Sequence, residues 1–220
     1  IAARVARLVG CPEDTLVLTR NTTESLDTII SGFPWKEGDE AIFAIQDYGA
    51  MQDMFKQVAR RQGIVLKTIS LPTNPASDQE IVDLYAKAIT HKTKLIMVCH
   101  LVNVTGQINP VRQICDMAHA RGVEVMVDGA HAVAHFEFKI SELNCDYYGA
   151  SLHKWLAAPL GVGILHVRKE KIAQIWPLIA EEGVPLTDIK HLNHVGTIPV
   201  HTDLAVDDAI DFYEKLGPAR

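Results

Sequence analysis

Short segments that are apolar along most of their length alternate with amphipathic ones through almost the whole chain. TLVLT (15–19), EAIFAI (40–45), GIVLKTI (63–69), KLIMVCH (94–100), VEVMVD (123–128), CDYYGAS (145–151) and GVGILHV (161–167) read as strands. Between and around them, helical spacing of apolar residues covers 1–9, 51–62, 78–89, 111–120, 169–176 and 203–216. A further helix starts at Asn21, with Glu24 three positions on at capping-box spacing. Strands that carry no polar face must be covered on both sides. The pattern therefore demands an α/β fold with a mostly parallel sheet between helical layers, joined by right-handed crossovers. Ligands of such sheets bind at the carboxyl ends of the strands.

Polar residues collect at those ends, and Lys154 in GASLHKW is the most unusual of them. It follows the strand CDYYGAS and precedes the apolar GVGIL, so partial desolvation is expected. Burial favours the neutral amine, which is a nucleophile toward carbonyls. An aldehyde cofactor such as pyridoxal 5'-phosphate is the natural partner. It needs a carboxylate for its ring nitrogen, a phosphate cup and a cover for the ring face.

Candidates for each exist. Asp128 ends VEVMVD and either serves the ring nitrogen or caps the next turn. Thr22 and Thr23 open a helix directly after a strand, where free N–H groups and the helix dipole suit a phosphate or simply an N-cap. Ser151 and His153 flank the lysine as further phosphate donors, and His153 is equally a core histidine by sequence. Tyr48 follows a strand and either lies on a flat ring or fills the core. Asn103 and His131 sit just past strands and either donate to a phenolate oxygen or, for Asn103, form a turn.

Other chemistries lack their signatures. The net charge of −6 carries no basic stripe for nucleic acid. Ten histidines include pairs at 131/135 and 191/194, yet no cysteine lies at ligand spacing and HExxH is missing, so no metal is expected. There is no GxSxG elbow and no GxGxxG after the first strand. Four separated cysteines suit a reducing, cytoplasmic setting, and no apolar run reaches membrane-spanning length. IAARVARLVG opens the chain within a helix and without a starting Met, so a segment is expected upstream.

Taken in order, NTTES, DYGAM, HLVNVTG, VDGAH, ASLHKW and HVGT resemble the class V aminotransferases, a family of fold type I pyridoxal-phosphate enzymes. The resemblance is to the isopenicillin N epimerase-like members, covers nearly the whole chain and is most specific at VDGAH with SLHK. It implies a three-layer αβα large domain over 1–220, with an N-terminal segment and a small C-terminal domain outside these residues. It also implies roles. Lys154 is the Schiff-base lysine, holding the cofactor as an internal aldimine and then acting as base toward a Cα carbanion. Asp128 lies on the ring nitrogen, His131 and Asn103 at the phenolic oxygen, and Tyr48 against the ring. Thr22, Thr23, Ser151 and His153 bind phosphate, with Thr197 reaching the phosphate of a neighbouring subunit, hence a homodimer with shared sites. The substrate implied is an amino acid or related amine. Cysteine desulfurases of this class carry His at the stacking position, where this chain has Tyr48, and a catalytic Cys in a later loop that lies beyond Arg220. A desulfurase-like enzyme or C–S lyase, and a non-catalytic binding domain of the same fold, are the rival expectations.

Overall fold

The computed structural model describes residues 1–217. Seven strands form one sheet: β1 (Leu16–Thr19), β2 (Glu40–Ala44), β3 (Val65–Ile69), β4 (Thr93–Cys99), β5 (Glu124–Asp128), β6 (Tyr147–Ser151) and β7 (Gly163–Val167), in the order β1-β7-β6-β5-β4-β2-β3. The helices are α1 (Ala2–Val9), α2 (Thr22–Gly32), α3 (Gly49–Gln62), α4 (Asp78–Ala88), α5 (Val111–His119), the short α6 (Ile140–Leu143) and α7 (His201–Leu216).

The helices lie in two layers, which the alternation of side chains across the sheet makes visible. Ile42, Ile96, Val98, Val125, Val127 and Ile164 point to one face and pack with α1, α4, α5 and α7. Ala41, Phe43, Leu95, Met97, Met126 and Leu165 point to the other and pack with α2 and α3. Neighbours in sequence thus go to opposite cores, as the period of two requires. Each fully buried Ile, Leu or Phe contributes roughly 1.5–3 kcal/mol, and both faces of the central strands gain it.

Three features depart from the sequence expectation. The strand β7 runs antiparallel to both neighbours, β6 and β1. The connection 152–162 between β6 and β7 holds no helix, and a parallel return needs a long crossover. The strand β3 is the sheet's edge and is partly open to water, with Val65 exposed, so its apolar sequence did not mean burial. Residues Lys169–Gln174 form a 3-10 helix rather than an α-helix. Ile172 and Ile175 are buried three apart, which suits the three-residue turn.

Register brings the strand ends together. Asp128 pairs with Cys99 of β4 and with Gly149 of β6, two residues before Ser151. The start of α2 is pressed onto β7 at Gly163, where a Cβ would stand 2.8 Å from the Asn21 backbone. Behind Asp128, a Cβ on Gly129 would fall 2.1 Å from the Tyr148 ring. Both contacts require glycine.

Candidate active site

A cavity of about 400 Å³ opens at the carboxyl ends of β4, β5 and β6. Its walls carry Thr22, Thr23, Tyr48, Asn103, Asp128, His131, Ser151, His153 and Lys154. Thr197 is not among them; it lies exposed in the loop before α7. Sequence reasoning passed over Asn21, Met51, Cys99 and Ala130, which also line the cavity, and over Asp47 just behind it. The signal for Asp47 was available, since it is an acidic residue three positions past the end of a fully buried strand, much as Asp128 closes one.

Asp128 is buried, and it caps the turn that follows its strand. Its Oδ1 accepts the Ala130 N–H at 3.0 Å, as a turn cap does. Oδ2 takes no protein hydrogen bond among the described residues. Burial raises its pKa, while the Ala130 N–H and the Lys154 charge pull it back down. A carboxylate kept this way suits a cationic ring N–H.

Lys154 is more open to solvent than its apolar flanks imply, because Trp155 and Ala157 also face outward. Burial still lowers its pKa, with Asp128 and Cys99 opposing. Its Nζ lies 3.0 Å from His131 Nε2. Burial, then Lys154 and His135, lower the His131 pKa. Tyr48 heads α3 and is exposed, so it is no core residue. Asn103 stands in the turn after β4, pinned below by the Asn109 amide, which donates to the Cys99 carbonyl at 2.7 Å. The turn reading of Asn103 therefore also holds, and its amide takes no protein partner among the described residues.

The donors around the start of α2 are only partly used within the protein. Asn21 caps α2, its side chain accepting the Glu24 N–H at 2.9 Å. The Thr22 N–H goes to Ser151 Oγ at 2.9 Å. The Thr23 N–H has no protein acceptor among the described residues. The hydroxyls of Thr22 and Ser151 lie 2.7 Å apart, so only one of their two protons is used between them. His153 Nδ1 is buried without a partner. Unused donors thus converge at the positive end of an 11-residue helix. An amine, a buried carboxylate and these donors fit pyridoxal phosphate.

Asp47 is a second buried carboxyl, close enough to Asp128 to feel its charge. Oδ2 accepts the Ala44 N–H at 2.7 Å, and Oδ1 is buried and unpartnered. Burial pushes its pKa to about 8. The fold thus favours the protonated acid, and its contribution to stability is lost as pH rises from the ordinary carboxylate range through 8. Asp47→Asn does not titrate. It should match wild type near pH 4 and exceed it by roughly 1–3 kcal/mol above pH 8. Thermal melts across that range check this, and a gap that shrinks with rising pH would refute it.

The aminotransferase class-V family model matches residues 1–220. The chain is 32% identical over 230 residues to isopenicillin N epimerase of Streptomyces clavuligerus, covering 97% of this chain and 58% of that protein. It is 29% identical to a probable cysteine desulfurase of Halalkalibacterium halodurans, covering 93% of this chain and 52% of that protein. The chain therefore spans little more than half the length of these relatives. The fold matches the solved complex of the cystine C–S lyase C-DES with cysteine persulfide, with a TM-score of 0.90 and 24% identity over 98% of this chain and 60% of that one.

Proposed function

The chain belongs to the class V aminotransferase family, whose cofactor is pyridoxal phosphate, and from that premise we propose that residues 1–220 form the large, cofactor-binding domain of an epimerase-like enzyme acting on an amino acid or related amine. The observation that carries this is one cavity holding Lys154, Asp128 and the unused donors at the start of α2.

The bound cofactor supplies a carbonyl for the substrate amine and a ring that accepts electrons from Cα. Asp128 holds the ring nitrogen in its protonated form. His131 and Asn103 donate to the phenolic oxygen, and Tyr48 covers the ring. Thr22, Thr23, Ser151 and His153 bind the phosphate. Lys154 would hold the cofactor through Nζ, and the same amine, when free, is placed to take a proton from the substrate Cα. The fate of that carbon separates epimerisation, transamination and C–S cleavage.

A desulfurase needs a cysteine to carry sulfur, and the cavity's Cys99 does not suit the task. Its Sγ donates to the Leu101 carbonyl at 3.0 Å, and burial raises its pKa. Reactive cysteines are the exposed, low-pKa ones. With Tyr48 in the place where desulfurases carry His, this favours the epimerase-like reading. Thr197, exposed outside its own cavity, supports a homodimer in which each copy completes the other's phosphate site. Three of the four cysteines are buried as free thiols, which supports a cytoplasmic location, and no helix among the described residues is long and apolar enough to cross a membrane.

The test is to load the full-length protein with pyridoxal phosphate, reduce it with borohydride and map the label, then assay an amino-acid panel for racemisation, keto acid and sulfide. Label on Lys154 with racemisation is the expected result. Absence of a visible Schiff-base band and of label on Lys154 ends the reading.

A further inference from the structure

His131 has a neighbour on each ring nitrogen. Nε2 lies 3.0 Å from Lys154 Nζ, and Nδ1 accepts from the indole Nε1–H of Trp155 at 3.4 Å. An indole N–H can only donate, and a neutral imidazole has one donor and one acceptor nitrogen. With Nδ1 the acceptor, the ring proton sits on Nε2. That N–H points at Lys154 Nζ, which can receive it only through the lone pair of a neutral amine. An ammonium there would set N–H against N–H. A doubly protonated His131 would face the Trp155 N–H in the same way.

Trp155 is held in place for this contact. The His135 ring stacks on it with centroids 3.7 Å apart and planes 13° from parallel. His135 Nδ1 lies 2.9 Å from the His131 carbonyl oxygen, which only accepts, so Nδ1 of His135 carries its proton. Backbone and ring of His131, ring of His135 and indole of Trp155 close a circuit. Ala134, directly before His135, adopts a left-handed φ of 61°, a conformation unfavourable for an alanine. The packing of this turn sustains it.

We propose that Trp155 is a positioning residue that fixes the His131 proton on Nε2, so that Lys154 of the cofactor-free protein is a free amine and His131 keeps a proton to donate to the cofactor's phenolic oxygen. The first half stands on the protein alone; the second rests on the cofactor role given above.

The test uses full-length protein freed of cofactor. Nitrogen NMR of labelled histidine, with the His131 signals assigned by their loss in His131→Gln, should show a protonated Nε2 and a bare Nδ1. Trp155→Phe keeps a ring on His135 and removes the N–H. It should move His131 toward the Nδ1–H tautomer. It should also raise the pH midpoint for acylation of Lys154 by a small amine reagent by about one unit, a tenfold loss of free amine at fixed pH. A wild-type His131 protonated on Nδ1 overturns the proposal, and this spectrum decides the matter even if the variants fail to fold. So does a Trp155→Phe protein unchanged in tautomer and midpoint, with only Trp155→Ala altered, since Trp155 would then merely pack. Borohydride labelling of Lys154 is scored separately: its failure with the tautomer intact sinks the cofactor reading and leaves the positioning role standing.

Discussion

Lys154→Ala should bind pyridoxal phosphate without capturing it. The donors at the start of α2, with Ser151 and His153, do not involve the lysine, so the phosphate keeps its cup. Covalent attachment requires an amine, and the variant has none in the cavity. Borohydride reduction should therefore leave no label, and the visible Schiff-base band should vanish. Turnover should fall by at least ~10²–10⁴, the usual worth of a placed general base, and further if release of the cofactor becomes easy. The fold should be nearly unaffected, within about 0.5 kcal/mol, because Lys154 is exposed and its one side-chain hydrogen bond among the described residues is to His131. Reduction that still labels the variant on another lysine would show that the amine has been misassigned.

Asp128→Asn should separate activity from stability by moving them in opposite directions. The amide carries no charge, so it cannot hold the ring nitrogen protonated, and turnover should drop by about 10²–10³, as when one preorganised electrostatic contact is lost. In the cofactor-free protein the change is relieving. Burial raises the Asp128 pKa above its unfolded value, so the fold prefers the protonated acid. Wild-type apoprotein then has the full contribution of this group below the ordinary carboxylate range and loses it as pH rises through the raised value. Asparagine can still accept the Ala130 N–H and does not titrate. At neutral pH the apo variant should melt at or above wild type, while the loaded variant should melt below loaded wild type. A variant less stable in both forms would make Asp128 a structural cap and no more.

Much of this arrangement was legible in the sequence because the two requirements coincide. A strand buried on both faces is written in Val, Ile, Leu, Met and Ala, so any polar residue at its end stands out. Asp128, Ser151 and Lys154 were visible for that reason. Thr22 and Thr23 were visible because a helix start after a strand leaves N–H groups to satisfy. Longer-range geometry was not legible. The reversal of β7 depends on how short the return from β6 is, and the exposure of β3 on its place at the edge; neither is a property of those segments alone. Trp155 stood beside the lysine, yet its role depends on His131 and His135, which another strand brings to it. Asp47 was passed over in favour of the aromatic next to it.

The reversal of β7 also has a consequence in time. The first strand enters the sheet only by pairing with β7, and the Thr22–Ser151 contact of the proposed phosphate cup joins residues 129 apart. The strands β2 to β5, by contrast, pair with partners much nearer in sequence and can assemble first. A chain emerging from the ribosome therefore has Asp128 in a forming strand before Thr22 can meet Ser151, and the proposed cofactor site is complete only when the last strand of the sheet has been made.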